Sequence, residues 1–210
     1  MAGLSIAEAP ARWFGLEKFE TRELRYPAGS VVVLAGIPGA GKSTLIRRLF
    51  PQAEQGEYGV QVFDSGHIRD RWAPRLARLP YSWWRPLVHL TYYARVLRAM
   101  RRGGPLLVHD CATRPWVRQL IGWQARRSGL AVHLVLLDVP GDVARVGQQV
   151  RGRVVRSHSM DTHCRRWPRL LAEAAVDPGR IVPGAASAVV LTRGQADRLQ
   201  RITFKPAAAA

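Results

Sequence analysis

This chain of 210 residues contains little cysteine and no long apolar run. Its two cysteines, Cys111 and Cys164, are too few for a disulfide framework. No uninterrupted apolar stretch approaches the roughly 20 residues needed to cross a bilayer. The segment Met1–Pro10 lacks the basic region and the long apolar stretch of a secretory signal. We therefore expect a cytoplasmic protein without membrane contact, built as one domain with a full core.

Acidic residues are also scarce. The chain has 15 acidic and 32 basic residues, a formal net charge of +17, and only three of the basic residues are lysines. The resulting positive field favours polyanionic ligands, which include nucleotides, phosphorylated metabolites and nucleic acid ends. Charge alone does not choose among them.

The most informative segment is Gly36–Ser43, which completes the pattern G-x-x-x-x-G-K-[ST] of a phosphate-binding loop, or P-loop. It follows the apolar run Val31–Ala35, which predicts a buried strand, and it precedes Thr44–Phe50, which predicts a helix ended by Pro51. Glycines let such a loop turn its N–H groups inward at a helix N-terminus and form an anion site. The motif predicts that the chain binds a nucleoside triphosphate. The predicted triphosphate-binding residues are Gly36, Pro38, Gly39, Ala40, Gly41, Lys42, Ser43 and Thr44.

Short apolar runs alternate with longer segments of helical spacing along the chain. The predicted strands are residues 31–35, 60–63, 106–108, 132–137 and 189–191. Helices are predicted after the P-loop, around residues 86–102 and 117–127, and over 142–150 and 162–175. This alternation predicts an α/β fold in which helices sandwich a mostly parallel five-stranded sheet. We assign residues 1–28 to a lead-in with a short strand across Phe19–Arg25, residues 29–203 to the domain, and residues 204–210 to a disordered tail.

Acidic residues follow three of the predicted strands directly. These are Asp64, Asp110 and Asp138. Ligands of open parallel sheets bind beyond the carboxyl ends of the strands. An acidic residue in this position also serves to cap the helix that follows. We assign Asp138 to a structural turn or to a turn that contacts the base of the nucleotide.

With these motifs the chain resembles the P-loop kinases that phosphorylate small molecules and nucleic acid ends. The comparison families are adenylylsulfate, gluconate and shikimate kinases, chloramphenicol phosphotransferase, zeta-toxin-like kinases and polynucleotide 5′-kinases, and the chain looks most like a bacterial AAA-type ATPase group within that set. The resemblance runs from residue 31 to about residue 156. It is carried by the P-loop, by Asp64 with Arg69, by Asp110 followed by Arg114 and Arg118, and by Arg151–Arg153.

The resemblance implies a nucleoside-kinase-like P-loop NTPase fold, with an acceptor arm over about 65–104 and a lid over about 145–160. Lys42 would reach the β- and γ-phosphates of ATP, and Ser43 and Asp110 would hold Mg²⁺. Asp64 would accept the proton of the acceptor hydroxyl. Further roles are implied for arginines, which suit bidentate contacts to anions. Arg69, Arg114 and Arg118 would bind oxygens or a phosphate of the acceptor, and Arg118 would also take part in catalysis. Arg151 and Arg153, with Arg145, would stabilise the transferring group.

The predicted arm interleaves aromatic and basic residues between Arg71 and Tyr93. Packing in the core explains the aromatic residues of such a segment. The alternative is that they stack on an aromatic acceptor or on an exposed nucleic acid base. His158, His163 and Cys164 match no familiar zinc spacing, so no metal role is assigned to them.

Three functions remain open at this point. The first is an ATP- and Mg²⁺-dependent kinase acting on a hydroxyl of an anionic or hydroxylated small-molecule or nucleoside-like acceptor. The second is a polynucleotide 5′-hydroxyl kinase, and the third is a nucleotide-binding ATPase switch that transfers nothing to an acceptor. The sequence does not choose the acceptor, ATP over GTP, or an oligomeric state.

Overall fold

The computed structural model describes residues 22–51, 59–76, 78–150 and 157–205. The strands in these residues are β1 (Glu23–Pro27), β2 (Ser30–Gly36), β3 (Gln61–Phe63), β4 (Leu106–His109), β5 (Ala131–Asp138), β6 (Ala185–Thr192) and β7 (Arg201–Lys205). The α-helices are α1 (Lys42–Leu49), α2 (Ser65–Leu76), α3 (Tyr81–Arg102), α4 (Pro115–Arg127), α5 (Gly141–Gln149), α6 (Ser157–Val176) and α7 (Arg193–Arg198). A 3₁₀ turn, Pro178–Arg180, connects α6 to β6.

Five of the strands form one parallel sheet in the order β3-β4-β2-β5-β6. All seven residues of β2 are buried, as expected for a central strand covered by helices on both faces. The predicted α/β fold with five parallel strands is therefore confirmed. Because β2 lies at the centre, the loop that follows it opens at the middle of the sheet's carboxyl edge, between the ends of β4 and β5.

The structure differs from the sequence prediction at the two ends of the domain. A strand was predicted over Phe19–Arg25, of which residues 19–21 lie outside the described residues. Strand β1 extends beyond the predicted Arg25 to Pro27, and it pairs in parallel with β7 in a separate two-stranded sheet. Phe204 and Lys205, predicted to belong to a disordered tail, are the last two residues of β7. The two strands lie at opposite ends of the chain, and no local pattern signals such a distant pairing.

Helices α2 and α3 occupy the predicted acceptor arm. Helix α2 was not predicted, because Gly66 and Pro74 weaken its helical pattern. Helix α3 begins five residues before the predicted start. Among the described residues, no helix is both long and apolar enough to span a membrane.

Buried polar side chains cluster where β1 packs on the main sheet. The ring centroids of Tyr26 and His133 are 4.9 Å apart, and His133 Nδ1 lies 2.8 Å from the Ser187 hydroxyl. Within the described part of the chain, neither His133 Nε2 nor the Tyr26 hydroxyl has a hydrogen-bond partner. Burial lowers the pKa of His133 to about 4, so this imidazole is neutral in the folded protein near neutral pH.

This histidine should make the protein less stable in mild acid. In the unfolded chain a histidine titrates near about 6.5, so between about pH 6.5 and 4 the unfolded state binds more protons than the folded one. The free energy of unfolding should therefore fall as the pH drops through this range, with His133 contributing up to about 3 kcal/mol. Urea denaturation at pH 7.5 and pH 4.5 measures the loss. His133→Gln should reduce this loss of unfolding free energy, and an unchanged loss would contradict its assignment to His133.

Candidate active site

The P-loop connects β2 to α1, and its backbone requires glycine at two positions. Gly39 and Gly41 have φ angles of 91° and 99°, in the left-handed region that other residues rarely adopt. A Cβ atom on Gly39 would lie 2.0 Å from the Ala144 carbonyl oxygen of α5, so the loop also packs directly against that helix. Gln148 of α5 fixes the contact by donating a hydrogen bond to the Pro38 carbonyl oxygen at 3.0 Å.

Lys42 is the first residue of α1 and is only 6% exposed. Its Nζ donates hydrogen bonds to the carbonyl oxygens of Gly36 at 2.6 Å and Ile37 at 3.0 Å. The ammonium group is thus held over the opening of the loop, at the helix N-terminus, where the helix dipole also favours an anion.

A cavity of about 240 Å³ lies over the P-loop. From the P-loop it is lined by Pro38, Gly39, Gly41, Lys42 and Ser43. The remaining lining residues come from α3, α5, the start of α2, the end of β4 and the segment that follows it, and they include His89, Tyr93, Asp110, Cys111 and Arg114. Ala40 and Thr44 instead line a smaller cavity of about 20 Å³, on the side of the loop that faces Arg193 of α7.

Asp64 and Asp110 follow β3 and β4, as predicted, and each is only 7% exposed. The Asp64 carboxylate lies 2.7 Å from His109 Nδ1 and accepts a hydrogen bond from the Gly66 N–H at 2.8 Å. Burial alone would raise the pKa of Asp64, but hydrogen bonds from His109, Gly66 and Ser43 and the His109 charge lower it well below its ordinary value. Asp64 is therefore an ionised carboxylate in contact with the Ser43 hydroxyl.

Asp110 is positioned by neutral donors. Its carboxylate accepts hydrogen bonds from the Tyr93 hydroxyl and from the Ala112 N–H, both at 2.9 Å. Ala112 adopts a φ angle of 52°, which is unusual for a residue other than glycine and turns the chain sharply behind Asp110. Among the described residues, no cationic side chain lies within 4 Å of this buried carboxylate.

The three arginines predicted to bind the acceptor lie in different surroundings. Arg114 lines the cavity, with its guanidinium nitrogens 3.4 Å from both ring nitrogens of His89. Arg118 lies one turn further along α4, and its Nε and Nη1 atoms are buried without a hydrogen-bond partner in the described residues. Arg69 pairs instead with Asp70 at 2.6 Å, at the exposed surface of α2.

The predicted lid is described only in part. Arg145 of α5 pairs with Asp161 of α6 at 2.6 Å, and both side chains are largely exposed. Arg151 and Arg153 lie outside the described residues, so their predicted contact with the transferring group stays a prediction.

Sequence reasoning missed three side chains that organise the site. His109 contacts Asp64, Tyr93 contacts Asp110, and Gln148 contacts the P-loop backbone. The signal for His109 is the sheet register: Phe63 pairs with Val108, so the next residues, Asp64 and His109, leave neighbouring strands side by side.

Most aromatic residues of the arm pack in the core. Trp84, Tyr92 and Tyr93 are buried and Trp72 packs half-buried against the core, whereas Tyr81 is 43% and Trp83 74% exposed. Packing therefore explains the majority, as the sequence analysis favoured. In the part of the chain that the structure describes, no group of three or more His, Cys, Asp or Glu side chains could hold a metal, and this includes the neighbourhood of His158, His163 and Cys164. Asp138 accepts a hydrogen bond from the Trp167 indole at 3.2 Å, a structural contact.

The parallel sheet, the glycine loop at a helix N-terminus and two carboxylates at adjacent strand ends define a P-loop NTPase domain of the kinase-like type. Residues 31–175 match a protein family described as an AAA domain. The match covers well over half of the chain, and the chain belongs to this family.

Solved structures show the same fold. A protein of the PezAT chromosomal toxin–antitoxin system of Streptococcus pneumoniae matches with a TM-score of 0.58 and 17% sequence identity, over 83% of this chain and 77% of that one. A protein of Chloroflexus aurantiacus J-10-fl, named provisionally as a kinase, matches with a TM-score of 0.53 and 12% identity, over 79% and 86% of the two chains. No curated protein matches the chain.

Proposed function

We propose that this protein is an ATP- and Mg²⁺-dependent phosphotransferase that moves the γ-phosphate of ATP to a hydroxyl group of a small-molecule or nucleoside-like acceptor. The observation that carries the proposal is the position of Asp64. A P-loop alone supports hydrolysis or switching as well as transfer. A second buried carboxylate beside Ser43, ionised and outside the loop itself, is suited to orienting an incoming hydroxyl group.

Each part of the site has a task in this reaction. The P-loop N–H groups and Lys42 bind the β- and γ-phosphates and neutralise charge that builds up on them. Asp64 accepts a hydrogen bond from the acceptor hydroxyl and aligns its oxygen with the γ-phosphorus. His109 and the Gly66 N–H keep Asp64 in place. Phosphoryl transfer depends mainly on positioning and positive charge, and these residues supply both.

The residues present fit Mg²⁺. Asp110 is a buried carboxylate whose described partners are neutral, and a buried charge of this kind calls for a cation. The Ser43 hydroxyl and the Asp110 carboxylate are oxygen ligands of the type that Mg²⁺ prefers, with phosphate oxygens and water completing its shell. When bound, Mg²⁺ neutralises charge on the β- and γ-phosphates.

The test is an acceptor screen with γ-labelled ATP. Label should move from ATP to one class of hydroxyl compound, faster than it appears as inorganic phosphate in the acceptor's absence. Hydrolysis that no acceptor stimulates would favour an ATPase switch. Transfer to the 5′-hydroxyl of oligonucleotides, with a steep dependence on salt, would favour the polynucleotide kinase.

A further inference from the structure

Two arginines contact His89, which lines the cavity over the P-loop. Arg85 of α3 lies with its Nε 3.3 Å from His89 Nε2, and Arg114, just before α4, lies against the same ring. The two terminal nitrogens of Arg114 lie 3.4 Å from His89 Nδ1 and Nε2, respectively, so this edge of the guanidinium group points at the imidazole ring. A guanidinium group has five N–H donors, and in the described part of the chain the other three of Arg114 make no hydrogen bond, so they can bind a ligand.

A third arginine approaches the same place from α6. Arg166 donates a hydrogen bond to the Thr113 carbonyl oxygen at 3.4 Å, in the segment between Asp110 and Arg114. The Thr113 hydroxyl lies 3.0 Å from His163 Nδ1, one turn before Arg166 on α6. Helices α3 and α6 and the segment before α4 therefore each supply one guanidinium group.

In the described part of the chain these arginines form no close ion pair, although the Asp110 carboxylate lines the same cavity as Arg114. No carboxylate lies within 4 Å of Arg85, Arg114 or Arg166. Burial, and then the nearby positive charges, lower the pKa of His89 and that of His163 to about 4. Both imidazoles are therefore neutral near pH 7, and the positive charge of the cluster resides on the guanidinium groups.

We propose that the acceptor carries a phosphate group, and that Arg85, Arg114 and Arg166 bind this group while the acceptor hydroxyl faces Asp64. The inference rests on the proposed phosphotransferase function and narrows its acceptor to a phosphate ester. Three guanidinium groups from three elements suit the several oxygens and the double charge of a phosphate better than a single carboxylate. Arg118, with two buried and unpaired nitrogens one turn after Arg114, adds to the positive charge on this face of α4.

The experiment uses inorganic phosphate as the probe. The full chain is first saturated with Mg²⁺ and a non-hydrolysable ATP analogue, so that the P-loop is filled, and phosphate binding is measured by calorimetry against acetate at equal ionic strength. Phosphate should bind at least about tenfold more tightly than acetate. Arg166→Gln and Arg85→Gln should each weaken phosphate binding by about 10- to 100-fold, the usual effect of losing a charge-assisted hydrogen bond. Arg165→Gln, an exposed neighbour of Arg166 on α6, should change it less than about twofold.

Several outcomes would overturn the inference. Phosphate could bind no better than acetate, or the Arg85 and Arg166 variants could bind phosphate normally. A third contrary result is that the two variants lose affinity for the ATP analogue by the same factor, because the arginines would then belong to the triphosphate site. Failure of the proposed function has a different signature, since the wild-type protein would then transfer no label from γ-labelled ATP to any hydroxyl compound in the acceptor screen. Displacement of phosphate by a short single-stranded oligonucleotide would support a phosphate in a nucleic acid backbone, and lack of displacement would support a free phosphate ester.

Discussion

Lys42→Ala should weaken binding of MgATP by about 10- to 100-fold and reduce the transfer rate by a further factor of about 10²–10³. The ammonium group lies 2.6 Å from the Gly36 carbonyl oxygen at the N-terminus of α1, where the P-loop turns its N–H groups to the cavity. No other lysine lies in the described part of the site. Under the proposed function, the loss of Lys42 removes a charge that stabilises the β- and γ-phosphates in the ground state and, more strongly, when negative charge develops during transfer. Calorimetry with MgATP and a γ-label transfer assay measure the two effects.

Arg47→Ala is the matched control for this variant. Arg47 also lies on α1 and loses the same charge, but it is exposed and does not line the cavity over the P-loop. The affinity of Arg47→Ala for MgATP should be within about twofold of the wild-type affinity. Because Lys42 is buried and bonded to backbone carbonyls, circular dichroism must show that Lys42→Ala is folded. A folded Lys42→Ala protein with normal MgATP affinity would contradict the role of the P-loop, and with it the proposed function.

The sheet could be predicted because its signals are local. Each central strand is a short apolar run, and such a run is by itself a sufficient sequence signal for a strand that is covered on both faces. The pairing of β1 with β7 joins residues almost 180 positions apart, a feature that no window of sequence contains. Helix α2 escaped prediction for a different reason: Gly66 and Pro74 lower its intrinsic helicity, and packing against α3 overrides that preference.

The candidate site likewise combines residues that local sequence patterns indicate and residues that only tertiary contacts bring together. The P-loop was predicted residue by residue, because eight consecutive positions contain both the backbone turn and the charged group. The positions of Asp64 and Asp110 at one edge of the sheet could be predicted because the carboxyl ends of parallel strands meet there. His109 was missed because its contact with Asp64 depends on the register of β3 against β4. The sequence did not indicate that Arg85 and Arg166 approach the segment after β4, because the packing of α3 and α6 around that segment is a tertiary property.

Asp64→Asn should abolish phosphoryl transfer while leaving MgATP affinity within about threefold of the wild type. Asparagine keeps the shape and can still accept the Gly66 hydrogen bond, but it has no charge with which to orient and polarise the acceptor hydroxyl. Loss of such a group typically costs about 10²–10⁴ in rate. Because the pKa of Asp64 lies well below its ordinary value, the carboxylate stays ionised in mild acid, and any loss of wild-type activity near pH 5 must come from other groups. A base with so low a pKa acts mainly by orientation, which suits a loose transition state in which the hydroxyl loses its proton late.

Asp70→Asn provides the comparison for the Asp64 variant. Asp70 lies on α2, six residues beyond Asp64, and its exposed carboxylate pairs with Arg69 at the surface. Asp70→Asn makes the same change in charge as Asp64→Asn, and its transfer rate should stay within about twofold of the wild-type rate. Single-turnover assays at saturating ATP and acceptor separate chemistry from binding. If Asp64→Asn transferred phosphate at the wild-type rate, the carboxylate would only hold His109 and the P-loop in place, and another group would have to orient the acceptor. If both transfer and MgATP binding were lost, Asp64 would belong to the nucleotide site, which its contact with Ser43 would then explain.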